Sequence, residues 1–379
     1  MSSKIPTIAL ISIGLTIILS LSVAAQLEIP KPTGPYAVGR SARHWGDESR
    51  AEILTDRPND FREVPVQIWY PAEPGTGAPT SYFPALDELS SELVASGEVT
   101  PFEAFGLRFI RSHERLNAQL AGGAASYPVI LHSAGNGTNM EFYAALASEL
   151  ASYGYIVVGL NHPYDVAAVH LQDGSIARFV PGPLEQGERH NWVAGRIAER
   201  TADLRFVMDQ LEALNVGDDP LFGGRLDLTR TGAMGHSLGG IAAAQACLRD
   251  PRLRACLNFD GLQQGGPFST EPNPEPPKQP FMMITKEERL HPAIIDIFEA
   301  TPSVSYLVSI KGAQHDNFTD GPLLLPSFLP LPQQADHVLT LTRTYMLAFF
   351  EQTIQQQSSS LLEESTESQD IKLEVYPSH

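Results

Sequence analysis

The segment Gly235-His236-Ser237-Leu238-Gly239-Gly240 constrains the fold of this chain most strongly. It fits the pattern Gly-x-Ser-x-Gly, in which a serine stands on a sharp turn between a strand and a helix. The backbone of such a turn is strained, so the residues two before and two after the serine must be small, and both are glycine here. Leu228–Met234 reads as a short buried strand, and Ile241–Leu248 is alanine-rich, as a helix prefers. We therefore expect a strand, a turn and a helix that expose the Ser237 hydroxyl at the strand end.

Apolar runs that read as strands alternate with amphipathic runs that read as helices between residues 60 and 352. The predicted strands are Val64–Pro71, Tyr127–Leu131, Tyr155–Leu160, Leu228–Met234, Leu253–Phe259, Phe281–Thr285 and Val304–Ile310. The predicted helices are Met140–Tyr153, Trp192–Leu214, Ile241–Leu248, Pro292–Ala300 and His337–Gln352. This alternation predicts an α/β-hydrolase fold, with a mostly parallel central sheet and helices on both faces. Functional groups should then gather at the carboxyl ends of the strands.

Three further segments surround that predicted core. Residues 82–122 have apolar side chains at helical spacing and are interpreted as a helical insertion that shapes a substrate cleft. Residues 26–60 read as an irregular segment at the start of a hydrolase domain that spans residues 26–354. Residues 355–379 are rich in Gln, Ser and Glu and are predicted to be a disordered tail, although Ile371–Val375 is apolar enough for one strand.

The amino terminus has the pattern of a secretory signal peptide over residues 1–25. One lysine precedes the uncharged apolar run Ile5–Val23, and small residues at Val23-Ala24-Ala25 precede Gln26. This pattern predicts cleavage and a secreted or periplasmic protein. The alternative is a membrane anchor formed by residues 5–23, whose length is near the lower limit for a span.

Composition excludes some classes of function. The chain has 379 residues, 42% of them hydrophobic, which suits one large domain, and its formal net charge of −18 argues against nucleic acid as a partner. No Cys/His cluster has the spacing of metal ligands, so we expect neither a metal nor another cofactor. The two cysteines, Cys247 and Cys256, are expected to be small buried residues, and whether they pair stays open.

A serine hydroxyl is a poor nucleophile at neutral pH and needs a base, which in turn needs a group that orients it. His315 lies in the loop that follows the last predicted strand, where this fold carries its base. Asp260, at the end of the strand Leu253–Phe259, is the favoured acid. Glu287 or Glu288, after the next strand, remains the alternative.

The turn after the strand Tyr127–Leu131 is built of small residues and is expected to supply part of an oxyanion hole. The predicted backbone N–H donors are Leu238, directly after the nucleophile, and Ala134, with Ser133 as the neighbour left open. The candidates for the substrate cleft are Asn161 and His162, which follow a strand, and Phe318, in the loop of His315. A packing role in the loop is the alternative for His162.

With these residues placed, the chain resembles the platelet-activating factor acetylhydrolase family, the lipoprotein-associated type of phospholipase A2. Three segments carry the resemblance. Gly235–Gly240 resembles the family's GHSFGG elbow, Leu257–Gly261 its strand-end acid, 23 positions after the serine, and Ile310–Asp320 its KGxxHxNFxD segment. The turn His132-Ser133-Ala134-Gly135 resembles the HGxG oxyanion turn, with Ser133 in place of a glycine.

The resemblance covers about residues 60 to 350 and implies Ser237, Asp260 and His315 as nucleophile, acid and base. It implies metal-independent release of short or oxidised acyl chains from phospholipids. The apolar, proline-broken run Leu323–Leu331 either covers the edge of the core or offers a surface to lipid or acyl chains, which would allow transient contact with a lipid surface. The aromatic residue that follows the acid in that family is absent here, and Asn161-His162-Pro163 replaces its His-Arg pair. Both departures lie on the substrate side. A broad carboxylesterase, a polyester or dienelactone-type hydrolase and a non-catalytic binding protein of the same fold are the alternative functions.

Overall fold

The computed structural model describes residues 28–261, 275–287, 290, 292–324 and 332–379. The predicted signal peptide, with its alternative as an anchor, lies outside these residues, as does most of the apolar run 323–331. Among the described residues, no helix combines the length and the apolarity that crossing a bilayer requires.

Fourteen strands were found in the described residues, twelve of them in one sheet and two in a separate hairpin. The strands are β1 (Ala37–Ala51), β2 (Phe61–Ala72), β3 (Ala78–Ser81), β4 (Arg111–Leu116), β5 (Tyr127–Ser133), β6 (Ile156–Leu160), β7 (Ala168–His170), β8 (Ile176–Arg178), β9 (Leu226–His236), β10 (Leu253–Phe259), β11 (Phe281–Lys286), β12 (Ser305–Ile310), β13 (Thr366–Glu367) and β14 (Ile371–Tyr376). The helices are α1 (Leu86–Ser96), α2 (Pro101–Leu107), α3 (Ala144–Ser152), α4 (Gln186–Val216), α5 (Leu238–Arg249), α6 (Pro292–Ala300), α7 (Gly321–Leu324) and α8 (Pro332–Thr353).

The large sheet has the order β13-β14-β12-β11-β10-β9-β5-β6-β2-β1-β4-β3. The six strands from β12 through β6 in this order are parallel to one another, whereas β2 runs antiparallel to β6 and to β1. The predicted mostly parallel sheet is therefore confirmed.

Both faces of the parallel strands are buried, because successive side chains point to opposite faces and helices cover each one. In β5, Ile130 belongs to one apolar cluster and Leu131 to the other, and Val157 and Val158 of β6 divide in the same way. Helices α1, α3 and α8 pack on the first face, and α4, α5 and α6 on the second. This burial explains why the central strands read as continuous apolar runs in the sequence.

Three sequence-based expectations need correction. The segment 26–60 is not irregular throughout, because β1 pairs with β2 along nearly its whole length. The insertion 82–122 is helical only in α1 and α2, since it ends in β4, which joins the sheet beside β1. The tail 355–379 is not disordered throughout: the segment that reads as apolar enough for one strand forms β14, which pairs antiparallel with β12 and buries Leu373.

Cys247 of α5 and Cys256 of β10 are both buried, as expected. The structure joins them in a disulfide bond, with 6.5 Å between their Cα atoms.

The carboxyl ends of the parallel strands meet at one edge of the sheet. The register pairs Ser133 with Gly235, Phe259 with His236, Phe259 with Ile284 and Lys286 with Ile310. The residues that follow these strand ends are therefore brought side by side, although they lie far apart in the sequence.

Candidate active site

Ser237 stands between β9 and α5 on a backbone that only close packing can hold. Its φ of 54° and ψ of −123° lie in a region that residues other than glycine rarely adopt. A Cβ on Gly239 would collide with the carbonyl oxygens of Ser133 and Ala134, and one on Gly235 would collide with the backbone of Gly239. The two glycines therefore allow α5 to start directly against β5, which fixes where the serine oxygen points.

The structure brings the three predicted catalytic side chains into one hydrogen-bonded chain. The Ser237 Oγ lies 3.0 Å from His315 Nε2, and His315 Nδ1 lies 2.5 Å from Asp260 Oδ2. His315 stands in a 3₁₀ turn (His315–Phe318) directly after β12, and 43% of its side chain is exposed. A substrate can therefore reach the imidazole and the hydroxyl from the same side.

Asp260 follows β10 at a φ of 48° and is almost fully buried. Its second oxygen accepts a hydrogen bond from the Thr285 hydroxyl. Burial alone would raise the pKa of Asp260, but the hydrogen bonds from His315 and Thr285 outweigh that effect and hold the pKa below its usual value. The carboxylate is thus ionised at neutral pH and can only accept, so Nδ1 of His315 carries the proton and Nε2 is free to accept one from Ser237.

The alternative acids do not occupy this position. Glu287 is described, and its backbone N–H bonds to the carbonyl of Ile310, but Asp260 is the carboxylate that contacts His315. Glu288 lies outside the described residues.

The two backbone N–H groups expected to bind an oxyanion are available. Among the described residues, neither Leu238 nor Ala134 donates its N–H to a hydrogen-bond acceptor. The carbonyl of Ala134 accepts a 2.6 Å hydrogen bond from Arg200, and the next N–H, that of Gly135, donates to the Tyr143 hydroxyl. Both polar groups of the peptide that joins Ala134 to Gly135 are therefore held, which keeps the turn in place without consuming the N–H of Ala134.

A second chain of hydrogen bonds links this turn to His315. Because the Tyr143 hydroxyl accepts from Gly135, its own proton goes to His236 Nδ1, 2.9 Å away, and His236 Nε2 then donates to the carbonyl of His315. Burial first, and the neighbouring His315 second, lower the pKa of His236 to about 3, so it stays neutral in this role. The residue before the nucleophile thus ties the oxyanion turn to the backbone of the base.

A further serine–histidine–aspartate arrangement lies beneath the oxyanion turn. Ser133 Oγ is 2.8 Å from His162 Nε2, and His162 Nδ1 is 2.8 Å from Asp203 Oδ2. Arg62 of β2 pairs with both oxygens of Asp203. All four side chains are fully buried, so no substrate reaches this serine. The arrangement instead anchors the carboxyl end of β5 to the end of β6, to α4 and to β2.

The predicted cleft residues support the site from beneath, which corrects that assignment. Asn161 is buried and accepts from the backbone N–H of Met140, His162 is buried against Ser133, and Phe318 stacks on Phe259. Each residue lies in a segment that follows the carboxyl end of a strand, as predicted. Its side chain points into the protein, where it contacts a polar or aromatic partner.

The nucleophile opens instead into a cavity of about 220 Å³. Besides Ser237 and Leu238, its walls are formed by Asn136, Gly182 and the first turns of α4, namely Arg189, Trp192, Val193 and Arg196. The sequence reasoning missed this wall, and it also missed Arg200 and Asp203. A signal was present, because Arg196, Arg200 and Asp203 are spaced four and three residues apart, which places their side chains on one face of a helix.

Comparison with known proteins points to one family. The family model described as platelet-activating factor acetylhydrolase, isoform II, matches residues 21–372. A platelet-activating factor acetylhydrolase of Cavia porcellus is 28% identical over 324 residues, which cover 77% of this chain and 69% of that protein. A probable 1-alkyl-2-acetylglycerophosphocholine esterase of Arthroderma benhamiae is 24% identical over 334 residues, which cover 80% of this chain and 79% of that protein. These matches confirm the resemblance stated from the motifs.

Among solved structures, a ferulic acid esterase from Streptomyces cinnamoneus superposes with a TM-score of 0.70 at 23% identity. The match covers 90% of this chain and 97% of that one. This likeness confirms the predicted α/β-hydrolase fold.

Three buried histidines near the site predict loss of stability in acid. Burial lowers the pKa of His132 and of His236 to about 3 and that of His162 to about 4. At a pH between 6.5, the ordinary pKa of histidine, and these lowered pKa values, the unfolded chain binds protons that the folded chain does not. The free energy of unfolding is therefore at its full value above pH 6.5 and falls as the pH decreases. Each histidine contributes a slope of up to about 1.4 kcal/mol per pH unit in that window.

His132 offers the cleanest test, because neither of its ring nitrogens has a hydrogen-bond partner in the described part of the chain. Urea unfolding of His132→Phe between pH 7 and pH 4 should show a smaller loss of stability than the unsubstituted protein shows. His337→Gln, which removes a half-exposed histidine, is the matched control. An unchanged pH slope in His132→Phe would contradict the prediction.

Proposed function

Because the chain belongs to the platelet-activating factor acetylhydrolase, isoform II, family of serine ester hydrolases, we propose that Ser237, His315 and Asp260 carry out the hydrolysis and that the substrates are phospholipids with short acyl chains. The observation that carries this proposal is the hydrogen-bonded order of the three side chains at the open edge of the sheet. Relatives named as platelet-activating factor acetylhydrolase and as 1-alkyl-2-acetylglycerophosphocholine esterase support the choice of substrate.

The reaction follows from the protonation states at the site. His315 Nε2 takes the proton of Ser237 as the serine oxygen attacks the ester carbonyl, and Asp260 stabilises the imidazolium that forms. The negative charge that develops on the carbonyl oxygen is received by the N–H groups of Leu238 and Ala134, each worth roughly 3 kcal/mol of barrier. His315 then protonates the leaving alcohol, and a water molecule, activated by the same imidazole, releases the acyl group from Ser237.

The size of the cavity favours short acyl groups. At about 220 Å³ it lies below the usual range of roughly 300–1,000 Å³ for ligand pockets, and it opens directly at Ser237. An acetyl group fits such a space, whereas a long acyl chain has to leave it. A broad carboxylesterase or a polyester or dienelactone-type hydrolase is the alternative, and the substrate comparison below separates these functions.

Ser237→Ala should lower the hydrolysis of p-nitrophenyl acetate by at least about 10³-fold, because it removes the hydroxyl that His315 Nε2 contacts and that forms the acyl-enzyme. A fluorophosphonate probe should label the unsubstituted protein and Ser133→Ala, but not Ser237→Ala. Ser133 is the matched control, since it stands in the same kind of triad but is buried. Labelling of Ser237→Ala would overturn the mechanism.

The substrate class is tested with 1-alkyl-2-acetylglycerophosphocholine and isopropyl acetate, which carry the same acyl group on an unactivated secondary alcohol. A higher kcat/KM for the phospholipid supports the proposal. A preference for the simple ester would favour the broad carboxylesterase.

We also propose transient contact with a lipid surface through α2 and the residues after it. Phe102, Phe105 and Phe109 are exposed by 74%, 57% and 57%, and the rings of Phe105 and Phe109 contact each other. Glu98, in the turn before α2, is hydrogen-bonded to Thr138 and lies near enough to Asp316, the residue after His315, for burial first and that like charge second to raise the pKa of Glu98. The exposed rings are therefore connected to the open edge of the sheet by one short turn, in reach of an interface that presents substrate.

Replacing Phe102 and Phe105 together by Ala should weaken co-sedimentation with phosphatidylcholine vesicles by at least about tenfold, because each ring loses apolar area that would leave water. Hydrolysis of soluble p-nitrophenyl acetate should not change. Phe61→Ala, which removes an exposed ring from β2 outside the insertion, is the control. Equal vesicle binding by all three proteins would contradict the proposal.

The apolar run Ile5–Val23 and the small residues before Gln26 support secretion after cleavage. Amino-terminal sequencing of the exported protein should begin at Gln26. Recovery of the full chain in the membrane fraction would favour the anchor formed by residues 5–23.

A further inference from the structure

The wall of the cavity beside Ser237 carries a positive charge that lacks a complete partner. Arg196 lies in α4, lines the cavity, and is 2% exposed. Its Nη2 has no hydrogen-bond partner among the described residues. A buried guanidinium nitrogen without a partner is costly, so it calls for an acceptor that arrives from outside the chain.

The protein groups around Arg196 do not supply that acceptor. Its Nη1 lies 3.4 Å from Asp165, but the other oxygen of Asp165 accepts a 3.0 Å bond from Arg200. One buried carboxylate therefore faces two buried guanidinium groups. Glu199 is close enough to interact with Arg196, but its own carboxylate bonds to Arg50 and lies 3.4 Å from Arg62.

The rest of the cavity wall also favours an anionic ligand. Arg189, which precedes Trp192 in α4 as Arg196 follows it, also lines the cavity. No described residue of the lining is a carboxylate. The guanidinium of Arg196 lies 5.6 Å from the ring centre of Trp192, which holds its plane in place. This positive wall stands in a chain whose formal net charge is −18. It is therefore a local feature and not a consequence of the overall composition.

We propose that Arg196, with Arg189 beside it, binds an anionic group of the substrate next to the ester that Ser237 attacks. This rests on the proposed function and names a determinant of specificity for it. Carboxylate and phosphate oxygens both suit a guanidinium fork, so two sources of the anion are possible. A phosphodiester would lie on the alcohol side of the ester, and a carboxylate at the end of an oxidised acyl chain would lie on the acyl side.

The test compares esters that carry an anionic group, called anionic esters here even where choline balances the charge, with neutral esters that lack this group. On the alcohol side, 1-alkyl-2-acetylglycerophosphocholine is paired with 1-alkyl-2-acetylglycerol. On the acyl side, mono-p-nitrophenyl glutarate is paired with p-nitrophenyl pentanoate, which has the same number of acyl carbons and no carboxylate. Arg196→Gln should lower kcat/KM for at least one anionic member by about 10- to 100-fold, mainly through KM, and change the neutral members by no more than about twofold.

The control is Arg205→Gln, which removes the same charge from an exposed position of α4, roughly 13 Å further along the helix axis. It should leave all four rates within about twofold. Arg196→Lys should retain part of the preference, because it keeps the charge but not the fork. The pair in which Arg196→Gln removes the higher kcat/KM of the anionic member shows whether the anion lies on the alcohol side or on the acyl side of the ester.

An equal fall on neutral and anionic esters, or no fall on either, would overturn the proposal. A readout without turnover separates this outcome from a failure of the proposed function. Glycerol 3-phosphate or glutarate should raise the melting temperature of the unsubstituted protein and of Arg205→Gln, but not that of Arg196→Gln. If neither anion does so, the anion site is wrong whatever the enzyme hydrolyses, and if a shift appears without ester hydrolysis, the proposed function is wrong instead.

Discussion

The contact of Gly239 with the carbonyl oxygens of Ser133 and Ala134 is the constraint on which the site depends. It brings the start of α5 against the end of β5 at a distance that admits no side chain. The same contact holds the nucleophile and the oxyanion turn in one rigid unit, since Leu238 and Ala134 flank it. The unfavourable backbone angles of Ser237 are tolerated because packing on both sides determines them.

Neutral imidazoles hold this unit to the rest of the site. His236 connects the Tyr143 hydroxyl to the backbone of His315, and His162 connects Ser133 to Asp203. In each case one ring nitrogen donates and the other accepts, which is possible only for the uncharged form. Burial keeps them uncharged at neutral pH, so the same low polarity that makes them vulnerable to acid fixes the direction of their hydrogen bonds.

Local patterns made much of the fold and the site predictable. The elbow, the strand-end aspartate and the loop of His315 each depend on a few adjacent residues, and the carboxyl-edge rule brings them together. Local patterns do not show the role of a residue whose partners are distant in the sequence. The prediction that His162 and Phe318 line the cleft was wrong, because their burial depends on the segments that pack above them. In the tail, the polar composition indicated disorder and only Ile371–Val375 read as a possible strand; that segment pairs with β12 and buries Ile371 and Leu373, which no local pattern specifies.

The buried pair of Arg62 and Asp203 joins residues 141 positions apart. Because Asp203 also fixes His162, and His162 fixes Ser133, the position of the oxyanion turn depends on the contact of β2 with α4. Local opening that separates β2 from α4 at this point would displace the turn without unfolding the parallel strands. Loss of catalysis would thus precede global unfolding, and an activity assay would report on this single long-range contact.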